Sequence, residues 1–280
     1  MEYADLHVHS NYSDGSDSPK ELIEKIKQAK INIFALTDHD TTEGCMEIKD
    51  YIPEDIKFIP RVELTCKSHG ISCHVLGYNC NPYNETLLEL IKKGKVLRRQ
   101  KLDTRINFLK EVWGIELTKE EKDWLYSRKS VVKTHVANVL VNRGLAKDNL
   151  SAMAKYLDNC KTGNTKFTID EAINAIKASG GISVWAHPIG GEGEEHISKE
   201  ELLLKLKTMI DLGIEGLECY YSRYNFEEIS FIKKLAEENN LFITGGSDYH
   251  GSNKDIPLGK LNTENKMVLC KNLTILKNFE

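Results

Sequence analysis

Four times along this chain a short apolar run ends in histidine or in a histidine–aspartate group. Residues 3–8 lead to His9, 33–37 to Asp38-His39-Asp40, 181–186 to His187, and 241–244 to Ser247-Asp248-Tyr249-His250. The most apolar of these runs, 33–37, suits a strand buried on both faces. Amphipathic segments separate the runs. Ser18, Pro19 and Glu21 open a helix with the stripe Leu22, Ile23, Ile26 and Ala29. Further helices are expected up to about residue 51, from 168, and over 199–212 and 226–239. Such alternation implies a parallel sheet, open or closed into a barrel. Its polar strand ends fall where barrel active sites collect.

In the first run, alternation along a strand points Asp5, His7 and His9 to one face, with Leu6 and Val8 in the opposite layer. Two imidazoles so placed can share a divalent metal, and Asp5 can orient one of them from behind. Asp14 offers another oxygen nearby. Residues 57–65 and 73–78 read as a strand and its return, across which Glu63 and His74 would face each other. His69 beside Gly70 reads as an exposed turn residue.

The 280 residues suffice for one large domain or a domain with an insert. A net charge of −4 argues against generic binding to nucleic acid or a membrane surface. No apolar run approaches a membrane span, and no signal-peptide pattern opens the chain. The seven cysteines contain no C-x-x-C, so free thiols in a reducing cytoplasm are expected. Cys66, Cys73 and Cys80 have no common zinc spacing and read as core or hairpin residues.

From 84 to 163 the strand pattern stops. Leu102, Ile106, Leu109 and Trp113 mark one helix, Val136, Val139 and Leu140 another, and 150–157 a third. The chain therefore divides into a discontinuous barrel, 1–83 with 164–280, and a helical insertion over 84–163.

Six histidines (His7, His9, His39, His74, His187 and His250) accompany Asp5, Asp14, Asp38, Glu63 and Asp248 at strand ends or on the hairpin. Mixed imidazole and carboxylate donors suit zinc, manganese or iron rather than calcium. There are more of them than one tetrahedral site requires, so two or three divalent ions are implied.

These motifs together, DLHVHSNYSDG at 5–15, LTDHDT at 36–41, Glu63, His74, AHP at 186–188 and GSDYHG at 246–251, resemble the ordered motifs of the PHP (polymerase and histidinol phosphatase) family of metal-dependent phosphoesterases. The resemblance implies an α/β fold, a distorted TIM-like (β/α)7 barrel with an inserted all-helical subdomain, and a trinuclear metal centre. It implies that His7, His9, Glu63 and Asp248 hold one metal, that Glu63, His74 and His187 hold a second, and that Asp14, His39 and His250 hold a third. The long insert and TDHDT resemble the branch of 3′,5′-nucleoside bisphosphate phosphatases and 5′-to-3′ exoribonucleases, in which the insert caps the site.

Residues 92–105 carry seven basic residues and one acidic. Arg98, Arg99 and Arg105 read as a phosphate clamp, which the planar guanidinium suits. For Lys92, Lys93 and Lys95 a solvated face and a phosphate-facing one both stand as readings. Where that branch has R-x-H-x-A-R, this chain has Lys133-Thr134-His135-Val136-Ala137-Asn138. Lys133 and His135 remain candidate phosphate-binding residues, whereas Asn138 cannot neutralise a phosphate and puts two-phosphate recognition in question.

The expected reaction is hydrolysis of a phosphomonoester of a small nucleotide, such as a 3′,5′-nucleoside bisphosphate, by a metal-activated hydroxide. Asp5, Asp38, Asp40 and His135 are the candidate catalytic groups. Asp40, His135 and His196, the last in the Gly-Glu-rich loop 190–196, are the candidates for general acid. The alternatives are a 5′-to-3′ exoribonuclease acting on short RNA, a histidinol-phosphatase-like enzyme, a C–N bond hydrolase, and a non-catalytic metal-binding module. No membrane and no obligate protein partner is expected.

Overall fold

The alternation builds a sheet that curls on itself. The computed structural model describes residues 1–163, 166–192 and 194–279; Gly193 of the 190–196 loop lies outside them. Strand β1 (Tyr3–Val8) leads through α1 (Pro19–Gln28) to β2 (Ile33–Leu36), then through α2 (Glu43–Ile48) to β3 (Lys57–Ser68) and β4 (Ile71–Tyr78). Helices α3 (Glu85–Trp113), α4 (Lys119–Ser127), α5 (Lys133–Asn142) and α6 (Asn149–Ala152) follow, and α6 runs into a π turn at Met153–Leu157. The alternation resumes with α7 (Ile169–Ala178), β5 (Ile182–Trp185), α8 (Lys199–Asp211), β6 (Gly216–Tyr221), α9 (Phe226–Glu238), β7 (Phe242–Gly246) and the short β8 (Val268–Leu269).

Helix starts follow side-chain chemistry. Ser18 with Glu21, Thr168 with Glu171, and Asn225 with Glu228 each form a reciprocal capping box. Each cap contributes about 1 kcal/mol.

The strand order is β7-β6-β5-β4-β3-β2-β1-β8. Neighbours are parallel except along β3–β4, β4–β5 and β1–β8. At the carboxyl ends β7 comes back to β1: His7 O accepts from the Asp248 amide at 2.8 Å, and the His9 amide donates to Tyr249 O at 2.9 Å. The result is a nearly closed α/β barrel of the distorted TIM type. Gly246 permits the seam, because a Cβ there would lie 2.1 Å from His7 Cβ.

Inside the curl, Ala4, Leu6, Ala35, Ile59, Leu76, Tyr78 and Val184 pack together, and Leu273 and Ile275 join them from the C-terminal segment. Outside it, β1 and β2 pack on α1 and α2 through Val8, Leu22, Ile26, Phe34 and Leu36. The helices after β4 bury a cluster of their own, with Leu102, Leu109, Leu125, Val136, Leu140 and Leu157. The four-residue stripe lies on α3; Leu102 and Leu109 are buried, and the exposed Trp113 meets Tyr156 edge-on at 5.0 Å.

Candidate metal centre

The first strand does not alternate as its sequence predicts. Asp5 pairs with Phe34 and Val8 with Leu36, so Leu6 and His7 together stand opposite Ala35. This is a β-bulge, and it re-aims the side chains beyond it. Leu6 packs in the inner cluster and Val8 in the outer one. His7 and His9 reach the cluster of imidazoles and carboxylates at the barrel mouth, while Asp5 does not.

Glu63 is the hub of that cluster. Its Oε2 lies 3.3 Å from His7 Nε2, 3.2 Å from His9 Nε2 and 3.2 Å from His39 Nδ1. Its Oε1 lies 2.9 Å from His74 Nδ1 and 3.6 Å from His187 Nε2. The Glu63–His74 contact is diagonal, because Glu63 pairs with Leu76 and Thr65 with His74. Asp248 Oδ1 lies 3.4 Å from His7 Nε2 and 3.3 Å from His9 Nε2. Asp14 lies 3.1 Å from His250 Nε2, 3.6 Å from His9 Nδ1 and 3.7 Å from His39 Nε2. All nine candidate ligands therefore converge.

Three groupings bring their ligand atoms within 4.8 Å of one another: His9, Asp14, His39 and His250; His7, His9 and Glu63; and His39, Glu63 and His74. Their partition differs from the one the resemblance implies, since His9 also faces Asp14 and His39 also faces Glu63.

The donor set fits divalent cations. Asp14 Oδ1, His39 Nδ1, Glu63 Oε1 and His250 Nε2 are buried with no hydrogen-bond partner among the described residues. Burial pushes the Glu63 carboxyl up, yet His39, His7 and His74 hold it well below the usual range. Burial acts likewise on Asp14, against His250 and His39, and on Asp248, against Lys254 and His250, and both are held low. Burial pushes His7 down, but Glu218, Glu63 and Asp248 raise it to about 10. The carboxylates thus demand positive charge at this point, and a divalent ion meets that demand while using imidazole lone pairs.

The group behind His7 is Glu218, which the sequence reading missed. Its Oε1 lies 2.8 Å from His7 Nδ1, and its Oε2 accepts the His187 amide at 2.8 Å. Its only sequence signal is an acid between Leu217 and Cys219 in an apolar strand. Asp5, expected in this place, accepts instead from Ser247 N and Oγ at 2.8 and 2.6 Å and from the Gly259 amide at 2.8 Å. Asp38 accepts from Ser10 N, Ser10 Oγ and Ser13 Oγ at 2.7–2.9 Å and so shapes the loop that carries Asp14. The second oxygen of Asp248 accepts from Lys254 at 2.9 Å and Tyr221 at 3.0 Å. Asp40, His187 and Asp248 take positive φ of 50°, 29° and 61°, a conformation that clusters at functional sites.

Most of the remaining candidates are engaged elsewhere, and His135 lies beside the Ser13–Asp14 loop. Asp40 accepts from Arg98 Nε at 2.6 Å and from the Thr65 amide at 2.9 Å. Arg98 also donates to Thr65 Oγ1 and Val131 O, so it joins α3 to the barrel. Arg99 donates to Tyr126 O, and Lys133 pairs with Asp158 at 2.7 Å. His135 Nδ1 accepts from the Val132 amide at 3.1 Å, and burial pushes the ring down to about 4. His196 Nδ1 lies 2.7 Å from Glu228. Lys93 pairs with Glu171 and Lys95 with Glu43, both at 2.5 Å, so this face is tied to the barrel rather than merely solvated. The described cysteines are all unpaired, and no described helix is long and apolar enough to cross a membrane.

The chain is similar to known proteins. A family model described as the PHP domain matches residues 5–170. The chain is 30% identical to a 5′-3′ exoribonuclease of Haemophilus influenzae, over 91% of this chain and 93% of that one. It is 28% identical to a 3′,5′-nucleoside bisphosphate phosphatase of Chromobacterium violaceum, over 89% and 88% respectively. A solved Chromobacterium violaceum structure, described as an amidohydrolase with bound sulfate and no metal, superposes with a TM-score of 0.81 at 25% identity, over 91% of this chain and 90% of that one.

Proposed function

Since the chain belongs to the PHP domain family, we propose that it is a metal-dependent phosphoesterase that releases phosphate from a small phosphorylated nucleotide, a 3′,5′-nucleoside bisphosphate being the favoured type. The observation that carries this reading is the single buried carboxylate, Glu63, faced by five imidazoles.

In this reading the nine ligands would hold two or three cations, manganese, zinc or iron, around Glu63, with His9 and His39 each facing both Glu63 and Asp14. Such ions acidify bound water to near-neutral pKa and neutralise phosphoryl oxygens. The protein's own part is orientation. Glu218 holds the Nδ1–H tautomer of His7 and so directs the Nε2 lone pair to the cluster. Lys254 and Tyr221 occupy one oxygen of Asp248 and leave Oδ1 toward the imidazoles. Helices α3–α6 cap the site, anchored by Arg98 on Asp40. Asp40 and His196 are engaged elsewhere, whereas His135, whose Nδ1 caps its own helix, lies beside the Ser13–Asp14 loop and is the candidate for the leaving-group proton. A cytoplasmic location, inferred from the cysteine usage, belongs to the same proposal.

A 5′-to-3′ exoribonuclease is the second reading, favoured by the Haemophilus relative. Phosphate release with manganese, zinc or iron tests both, using adenosine 3′,5′-bisphosphate, AMP, histidinol phosphate and a short 5′-phosphorylated RNA. The doubly substituted H39A/D248A protein is the blank. Preferential release from the bisphosphate supports the first reading, and mononucleotides liberated from RNA support the second. No hydrolysis under any metal removes the phosphoesterase reading.

A further inference from the structure

The basic run of α3 divides in two. Lys93, Lys95 and Arg98 pair with Glu171, Glu43 and Asp40. Lys101 and Arg105, further along, form no ion pair with a carboxylate among the described residues, and Asp40 acts on Lys101 only at longer range. Both line a cleft of about 410 Å³ together with Lys67, Ser72, Lys161 and Lys166, and no Asp or Glu among the described residues lines it. Lys101 is only 8% exposed. Burial and the nearby Arg98, Lys166 and Arg105 push its ammonium down to about 7 against the opposing pull of Asp40, and burial pushes Arg105 down to about 10. Buried cations without a counter-charge are costly. Five cations facing one cleft make a site that an anion would complete.

The cleft adjoins the metal centre. Ser72 and Lys166, which bond to each other at 2.7 Å, also line the cavity of about 200 Å³ that His74 and His187 face. Ser72 and His74 share one face of β4, about 7 Å apart at strand spacing. A molecule with one phosphate at the cluster can therefore extend along β4 into the cleft.

We propose that this cleft is a second phosphate subsite, which takes a phosphate of the substrate other than the one hydrolysed. The proposal rests on the phosphoesterase reading for its substrate. Lys133, the cation of the 133–138 segment, is engaged by Asp158. Two-phosphate recognition is thereby moved from α5 to the β3–β4 hairpin and the later turns of α3. Arg105 supplies a planar fork, and the lysines supply point charges.

The binding test is calorimetric titration of tripolyphosphate into chelator-treated protein near pH 6.5, where Lys101 keeps its proton. Lys101→Met and Arg105→Gln should each weaken binding about tenfold, the scale of one charged hydrogen bond. Lys166→Gln, at the half-buried rim, repeats the test without altering α3. Equal affinity in the wild type and all three variants overturns the subsite. The kinetic test is the ratio of kcat/KM for adenosine 3′,5′-bisphosphate to that for p-nitrophenyl phosphate. The ratio should fall about tenfold in Lys101→Met, and a ratio unchanged both for the bisphosphate and for a 5′-phosphorylated trinucleotide overturns the role in substrate choice. A fall confined to a 5′-phosphorylated trinucleotide supports the subsite with a backbone phosphate as occupant. If no ester is hydrolysed at all, the phosphoesterase reading fails, and the tripolyphosphate titration still decides whether the cleft binds phosphate.

Discussion

Glu218 Oε1 lies 2.8 Å from His7 Nδ1, with both side chains fully buried. This pairing fixes which ring nitrogen faces the cluster. Glu218→Gln preserves shape but removes the charge that keeps the Nδ1–H tautomer. Metal affinity should fall about 10–100-fold, the usual effect of losing such a partner. Titration of the metal-free protein with zinc, in competition with a chelator, measures it. Unchanged affinity would show that the contact does not tune the site.

Arg98 and Asp40 form a buried pair between α3 and the end of β2. Arg98→Met leaves Asp40 as an uncompensated buried charge. The expected loss is about 3–5 kcal/mol in urea unfolding. Asp40→Asn added to Arg98→Met should recover part of that loss, because the orphaned charge is gone. A loss below about 1 kcal/mol would mean that the pair is exposed to water in solution.

His135 makes stability depend on pH. The ring takes up its proton near 6.5 in the unfolded chain, and burial pushes it down to about 4 in the folded one. Between those values the unfolded state binds more protons. This contribution is therefore complete above about pH 6.5 and is lost as pH falls toward 4, by about 3 kcal/mol. Urea midpoints from pH 7 to 4.5 should show the wild type losing stability relative to His135→Leu as the pH drops. Parallel curves would contradict it.

Gly246 is where β7 crosses closest to β1. An added Cβ would meet His7 Cβ at 2.1 Å and His7 N at 2.4 Å, so a strand must move. Gly246→Ala should destabilise by about 1–3 kcal/mol. It should also weaken metal binding, since His7 moves with the strand. Thermal melting with and without manganese separates the two effects.

The nine candidate ligands were legible because the chemistry requires unusual residues at strand ends, and strand ends are marked by apolar runs. The capping boxes at Ser18 and Thr168 were legible because they are local. What failed to show was non-local. The bulge at Leu6–His7 has no Gly or Pro to announce it; it is a register offset that β2 imposes. Glu218 lies 211 residues from the imidazole it orients. Arg98, Arg99 and Arg105 look alike in sequence, and only packing assigns them a buried pair, a surface carbonyl and an unpaired cleft. Asp5 shares a strand with His7 and His9, but the bulge beyond it turns the two imidazoles to the cluster and leaves Asp5 on Ser247 and Gly259.

The central claim is that Glu63 gathers more than one divalent ion. Metal content by plasma mass spectrometry, on protein reconstituted with manganese and freed of loosely held ions, tests it most directly. The account predicts at least two ions per chain in the wild type and a loss of both in Glu63→Gln, which keeps the side-chain shape and removes its charge. One ion or none in the wild type, or equal occupancy in the two proteins, would contradict it.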